Sequence, residues 1–242
     1  MANKIKIDNA VLKRLKRQEE KERIEFKKKR KFILIVCEGG KTEPNYFKSI
    51  KLTLPKNVLE TVDIDIHGTG ANTVKVVEIA EQKIEDAKRT RNKVFDSVWI
   101  VIDRDSFLAN DFNNAIFKCN GKGYRCAWTN EAFELWYILH FQYRNTPMSR
   151  GDYKRVIEEE INRRGNEIGM FIDSKFKYKK NDENIYKLLA RLGDENQAKE
   201  NAKKLKALYI DEKFANHNPC TFVDELVEEI YALREEEEEE DE

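Results

Sequence analysis

The segment FILIVCEGG, residues 32–40, decides the fold of this chain. Its first six residues are apolar and partly β-branched, a pattern typical of a strand covered on both faces in a parallel sheet. Gly39 and Gly40 end the run. The following TEPNYFKSIK (42–51) has the composition of a helix, and Thr42 is its predicted N-cap. The segment therefore predicts a strand, a narrow turn and a helix.

Three further segments predict strands that extend this unit. VDIDIHG (62–68) alternates polar and apolar residues, FDSVWIVID (95–103) is mostly apolar, and GYRCAW (123–128) is shorter. Helical patterns separate the strands, as parallel neighbours require, and EAFELWYILHF (131–141) predicts a largely buried helix. We therefore predict an α/β domain at 32–146, a Rossmann-like parallel sheet flanked by helices.

The two ends and the C-terminal part have a different character. Residues 1–31 hold thirteen Lys or Arg against five Asp or Glu, which predicts a basic helical arm that contacts phosphates or is simply solvated. Residues 147–234 carry charged helical patterns and no convincing strand, so they predict a helical part, either a subdomain or helices packed on the sheet. The acidic run 235–242 predicts a disordered tail.

Several protein classes are excluded by the residues that the sequence lacks. The four cysteines form no CxxC pair and the three histidines lie far apart, which argues against a zinc site. No apolar run approaches the ~20 residues of a membrane span and no signal peptide is evident, so we expect a cytoplasmic protein. GGKT (39–42) resembles the end of a P-loop, but Ile35 stands where that loop needs glycine, which argues against an ATPase.

Carboxylates follow two of the predicted strands at the point where each strand ends. Glu38 comes directly after the first strand, and Asp103 and Asp105 come at the end of the third. The carboxyl ends of parallel strands lie at one edge of a sheet, and a spacing of two places Asp103 and Asp105 on one face of an extended chain. If the first and third strands are neighbours, the three carboxylates converge on one point. Such oxygen ligands suit Mg²⁺ or Mn²⁺. The sequence therefore predicts a metal site, with turn capping as the alternative role of the aspartates.

The same segments resemble a known domain. CEGGKTEPNYF (37–47) and VIDRDS (101–106) are similar to the two signatures of the TOPRIM domain, which occurs in topoisomerases, bacterial primases and several nucleases. NEAFELWYILHF (130–141) and NPCTFVDELVEEI (218–230) extend the resemblance to RloB-like proteins, which are encoded near restriction–modification loci and implicated in phage defence. The resemblance covers about 32–230 and implies a TOPRIM fold.

The resemblance also implies roles for particular acids. Glu38 matches a glutamate that acts as metal ligand or general base, and Asp103 and Asp105 match the metal-binding pair. Glu43 matches a second acid that helps to hold metal in some relatives, although a first-turn glutamate also favours the helix dipole. Glu134 is either a further catalytic or metal-site residue or a helix cap.

Basic residues near these motifs are candidates for nucleic-acid contacts. Lys41 either contacts a phosphate or balances the acids. Four lysines, Lys175, Lys177, Lys179 and Lys180, are interleaved with Phe176 and Tyr178, a pattern typical of a surface that combines charge with rings on which bases stack. A solvated loop is the alternative.

Together, the residues and the resemblance imply a nuclease that depends on Mg²⁺ or Mn²⁺ and cleaves phosphodiester bonds in RNA, such as tRNA, or in DNA. The implied role is an anti-phage defence effector, with a partner ATPase or another defence-system subunit as a further expected partner. The alternative is a non-catalytic adaptor that binds nucleic acid or a nucleotide in a defence complex. The sequence leaves the oligomeric state open.

Overall fold

The chain folds around one mixed sheet. The structure, a computed structural model, describes residues 12–18, 20–21, 31–105, 107–171 and 175–240. The strands in this part of the chain are β1 (Lys31–Cys37), β2 (Val62–Gly68), β3 (Ser97–Asp103), β4 (Arg125–Asn130) and β5 (Cys220–Thr221). Their order in space is β2-β1-β3-β4-β5; the first four are parallel and β5 pairs antiparallel with β4. The predicted α/β class with a largely parallel sheet is confirmed.

Helices connect the strands and cover the sheet. They are α1 (Thr42–Lys51), α2 (Lys56–Thr61), α3 (Thr73–Arg91), α4 (Ala109–Gly121), α5 (Glu134–Leu139), α6 (Arg150–Glu167), α7 (Ile185–Leu192), α8 (Glu195–Lys206) and α9 (Val223–Glu240), with a 3-10 turn at Phe214–Asn216. In the basic arm, residues 12–18 and 20–21 are helical and exposed, and the rest of 1–30 lies outside the described residues. None of the helices in the described ranges is long and apolar enough to cross a membrane.

Alternate residues of β1 enter separate cores on the two faces of the sheet. Ile33 and Ile35 pack in a cluster with residues of α1, α2 and α5 to α9, whereas Leu34 and Val36 pack in a cluster with residues of α3 and α4. All four side chains are fully buried, as an apolar run covered on both faces predicts. The helices after residue 147 therefore share one core with the sheet.

Two predictions for the C-terminal part were wrong in detail. Residues 147–234 were predicted to contain no strand, but Cys220–Thr221 forms β5 by pairing with Thr129 and Asn130. The acidic residues 235–240, predicted to be disordered, are helical in the structure and continue α9 to Glu240, with no Gly or Pro to stop the helix. Residues 241–242 lie outside the described part of the chain.

A buried histidine at the end of α5 makes stability depend on pH. His140 is 2% exposed, its Nδ1 lies 2.9 Å from the carbonyl oxygen of Trp136, and burial lowers its pKa from 6.5 to about 4. The nearby charge of Asp194 raises this pKa and that of Lys199 lowers it, but burial is the largest cause. The folded protein therefore keeps His140 neutral.

We expect this histidine to weaken the fold in acid. A pKa that folding lowers contributes stability that is present above pH 6.5 and is lost as pH falls toward 4. The free energy of unfolding should drop by about 2–3 kcal/mol more in the wild type than in His140→Gln between about pH 7.5 and about pH 4.5. Urea unfolding at both pH values measures this difference, and equal pH dependence in the two proteins would contradict it.

Candidate functional site

A cavity opens at the carboxyl ends of β1 and β3, which are neighbours in the sheet. Its volume is about 460 Å³, and all five acids that the sequence singled out line it: Glu38, Glu43, Asp103, Asp105 and Glu134. Ligands bind at this edge in parallel α/β sheets. The two strand ends supply three of the acids, and the starts of α1 and α5 supply Glu43 and Glu134.

Glu38 is held by the end of the neighbouring strand. Its backbone N–H donates to the carbonyl of Val101 (2.8 Å), which extends the pairing of β1 with β3. Its Oε2 accepts from the N–H of Asp103 (3.3 Å), and the Thr73 hydroxyl lies 3.4 Å from each carboxylate oxygen. Burial raises the pKa of Glu38 to about 7, although these hydrogen bonds lower it.

Asp103 is the last residue of β3 and presents an unsatisfied oxygen. Its Oδ1 is enclosed and has no hydrogen-bond partner among the described residues. Burial raises the pKa of Asp103 well above its usual value, and the charges of Glu43, Glu134 and Glu38 raise it further. A compensating cation would remove this conflict between like charges.

Asp105 reaches the same cavity by a different route from the one predicted. β3 ends at Asp103, so Asp105 is not on an extended strand with it. Instead Asp105 has a φ of 39°, in the left-handed region that non-glycine residues rarely adopt, and its N–H donates to the carbonyl of Glu131 (3.0 Å). Its carboxylate forms an ion pair with Arg150, the first residue of α6. A tight turn, not strand alternation, therefore brings the two aspartates to one cavity.

Glu43 and Glu134 are the most deeply buried acids of the cavity. They are 4% and 5% exposed, and Glu43 Oε2 has no hydrogen-bond partner in the described ranges. Burial raises the pKa of Glu43, and the charge of Glu134 raises it further. Glu134 accepts a hydrogen bond from the Tyr178 hydroxyl (3.0 Å). A Cβ atom at Gly39 would overlap the Glu43 carboxylate, so only glycine leaves room for this arrangement.

These residues fit a divalent cation in their chemistry, although their side chains are not yet arranged around one. Within the described ranges, no three His, Cys, Asp or Glu side chains form a ready set of metal ligands. The cavity nevertheless collects hard oxygen donors, two of which, on Asp103 and Glu43, are buried without a partner among the described residues. Mg²⁺ and Mn²⁺ prefer such donors.

Three basic side chains share the cavity with the acids. Lys41 precedes α1, Arg150 begins α6, and Lys180 lies in the segment between α6 and α7. The sequence singled out Lys41 for phosphate contact, but no local pattern distinguishes Arg150 from other surface arginines. The prediction that Thr42 is the N-cap of α1 was wrong, because Lys41 holds that position. Thr42 is the first residue of α1, and its hydroxyl donates to the carbonyl of Lys180 (2.6 Å), which ties the two segments together.

The Lys and aromatic residues between α6 and α7 point to opposite sides of an extended segment. Lys177 and Lys179 are exposed but do not line the cavity. Tyr178 is buried and Phe176 packs against the core, so the prediction that both rings are available for stacking on bases was wrong. Alternation in an extended chain sends every second residue inward, which leaves a basic surface without stacking rings.

Comparison with known proteins gives one match. A family model described as RloB-like protein matches residues 33–230, a range that contains every residue of the cavity. No curated protein and no solved structure matches the chain.

Proposed function

The chain belongs to the RloB-like family, and from that premise we propose that the carboxylate cavity is the active site of a metal-dependent nuclease of the TOPRIM type. The observation that supports the proposal is convergence. Glu38, Asp103 and Asp105 follow two neighbouring parallel strands and line one cavity, in the order of the glutamate turn and aspartate pair of TOPRIM domains.

The acids of the cavity would hold the metal ion, and Glu38 would also act on the attacking water. Glu38, Asp103 and Asp105 would hold Mg²⁺ or Mn²⁺, with Glu43 and Glu134 as further ligands or charge partners. When bound, such an ion supplies positive charge at the scissile phosphate and lowers the pKa of a bound water. Glu38 Oε2, oriented by the Asp103 amide, would accept the proton of the attacking water. Lys41 and Lys180 would contact the substrate backbone.

We propose RNA, such as tRNA, or DNA as the substrate, and a role as an anti-phage effector that acts with a partner ATPase or another defence subunit. These parts of the proposal rest on the family resemblance. The exposed Lys177 and Lys179 would lengthen the basic surface beside the cavity and add sequence-independent phosphate contacts.

A non-catalytic adaptor is the second candidate, and two observations favour it. Within the described residues the acids are not arranged as metal ligands, and Arg150 already neutralises Asp105. Such a module would bind nucleic acid or a nucleotide through the basic side chains without cleaving it. It would show no metal-dependent turnover of any substrate.

Cleavage assays with several substrates decide between these functions. Wild-type protein would be incubated with labelled tRNA, single-stranded RNA, plasmid DNA and linear DNA, each with Mg²⁺, with Mn²⁺ and with EDTA. Metal-dependent cutting that EDTA removes would support the nuclease and name its substrate. Binding of a polymer without cutting, in every metal, would support the adaptor.

Gly39 and Gly40 provide a matched pair of variants. Neither glycine has a positive φ, so alanine is compatible with the backbone at both, but only at Gly39 would the new methyl group overlap Glu43. We expect Gly39→Ala to reduce cleavage by at least about tenfold, because small displacements of catalytic groups are costly. Its melting temperature should change little, because the overlapped atoms end a side chain. Gly40→Ala should cleave like the wild type, and equal activity of the two variants would contradict this role of Glu43.

A further inference from the structure

The ion pair between Arg150 and Asp105 places a cation on a proposed metal ligand. Arg150 Nη2 contacts Asp105 Oδ2, and the side chains are 45% and 30% exposed. An ion pair this exposed contributes little to stability. Asp105 nevertheless adopts a left-handed backbone conformation to reach the cavity, a conformation that is strained for a residue other than glycine. The pair is therefore better explained by the chemistry of the cavity than by the stability of the fold.

The cavity has more acidic than basic side chains. Five acids line it together with Lys41, Arg150 and Lys180, and Glu43, which is 4% exposed, has an oxygen without a partner in the described ranges. Arg150 and a metal ion would compete for the Asp105 oxygen that contacts Arg150, because both cations interact with its electron pairs. A divalent ion that takes Asp105 would release the Arg150 guanidinium at the edge of the cavity.

We propose that Arg150 is an exchangeable counter-ion that pairs with Asp105 in the metal-free protein and binds a phosphate group of the substrate once a divalent ion occupies Asp105. This proposal rests on the proposed function. A guanidinium is suited to both partners, since its planar fork matches the two oxygens of a carboxylate or of a phosphodiester. As the first residue of α6, Arg150 is anchored by its backbone, while its half-exposed side chain can turn.

Lys180 would form the second half of the phosphate site. Its side chain lines the same cavity, and its carbonyl accepts from the Thr42 hydroxyl (2.6 Å), which connects this segment to the start of α1. The carbonyl of the next residue, Asn181, accepts from the Asn45 side chain (3.5 Å). The position of Lys180 is therefore set by α1, the helix that also carries Glu43.

The proposal predicts opposite changes in two affinities when Arg150 is removed. Arg150→Ala should bind Mn²⁺ about two- to fivefold more tightly, because a competing exposed cation is lost from Asp105. It should bind labelled nucleic acid in the presence of Ca²⁺ about tenfold or more weakly, because a charge-assisted hydrogen bond to phosphate is lost. Arg150→Lys should bind nucleic acid between these limits, since it keeps the charge without the fork. A merely structural role would weaken both affinities together.

The experiment measures Mn²⁺ binding by calorimetry and nucleic-acid binding by fluorescence anisotropy, with the full chain. The matched control is Arg155→Ala, on the same helix, because Arg155 pairs with Asp152 and Glu159 and does not line the cavity. Unchanged or weaker Mn²⁺ binding by Arg150→Ala, in a wild type that binds Mn²⁺ and cleaves, would overturn this proposal alone. A wild type that binds no Mn²⁺ and cleaves nothing would instead overturn the proposed function.

Discussion

Asp103→Asn is expected to abolish metal-dependent cleavage while leaving the protein at least as stable as the wild type. Asparagine keeps the shape of the side chain but removes the negative charge that a divalent ion requires, so cleavage should fall by about a thousandfold or more. Stability should respond in the opposite sense. Asp103 pays for burial and for repulsion from Glu43, Glu134 and Glu38, as its raised pKa indicates, and its Oδ1 has no partner among the described residues.

Two measurements on Asp103→Asn separate catalysis from folding. The rate at which the variant cleaves the best wild-type substrate measures catalysis. The melting temperature measures folding, and we expect it to rise by between zero and a few degrees. Asp86→Asn is the control, because Asp86 is exposed on α3 and pairs only with nearby Arg89 among the ion pairs of the described residues. It should leave cleavage unchanged. Wild-type cleavage by Asp103→Asn would refute the site, and a large fall in melting temperature would show that Asp103 has a structural role.

Trp136→Ala is expected to cause the largest loss of stability. Trp136 is fully buried in α5, between the sheet and the C-terminal helices, and its Nε1 donates to the Tyr46 hydroxyl (2.6 Å). Its ring also meets His140 edge-on, with centroids 4.9 Å apart. Removing a ring of this size from a packed core should lower the free energy of unfolding by about 3–5 kcal/mol.

The hydrogen bond to Tyr46 can be separated from the packing of the ring. Trp136→Phe retains an aromatic ring but leaves the Tyr46 hydroxyl without this donor, so a loss of about 1–3 kcal/mol is expected from the missing partner, with an added cost for the smaller ring. Tyr46→Phe removes the same bond from the other side, and the double variant completes a cycle. Urea unfolding of the four proteins measures the coupling. If Trp136→Ala lost less than about 1 kcal/mol, the proposed packing role of α5 would be refuted.

The central sheet was predictable because local pattern and burial are directly linked. A strand covered on both faces needs a continuous apolar run, and residues 32–37 and 98–102 have one. The short strand β5 was missed because two residues carry no usable periodicity, and only pairing with β4 defines them. The helix at 235–240 was missed because an unbroken run of glutamates has no apolar periodicity.

The candidate site was predictable in its acids and not in their partners. Glu38 follows β1 and Asp103 ends β3, so a parallel sheet places both at the same edge, and the pairing of β1 with β3 in the structure brings them together. The tie between Tyr178 and Glu134, by contrast, joins residues far apart in sequence. Neither segment has a sequence pattern that predicts this contact. The sequence pattern likewise predicted that the rings of Phe176 and Tyr178 are exposed, whereas in the structure both rings pack in or against the core.

By itself, the sequence determined the parallel sheet, the family and the acids at the ends of its strands, because burial and the alternation of strands with helices are visible in local sequence patterns. The tertiary structure alone decided how Asp105 turns into the cavity, that Arg150 neutralises it, and which oxygens, on Asp103 and Glu43, lack a partner among the described residues. These features depend on distances of a few ångströms between segments that are distant along the chain. Electrostatic and hydrogen-bond energies change steeply over such distances, whereas the local sequence pattern does not record them.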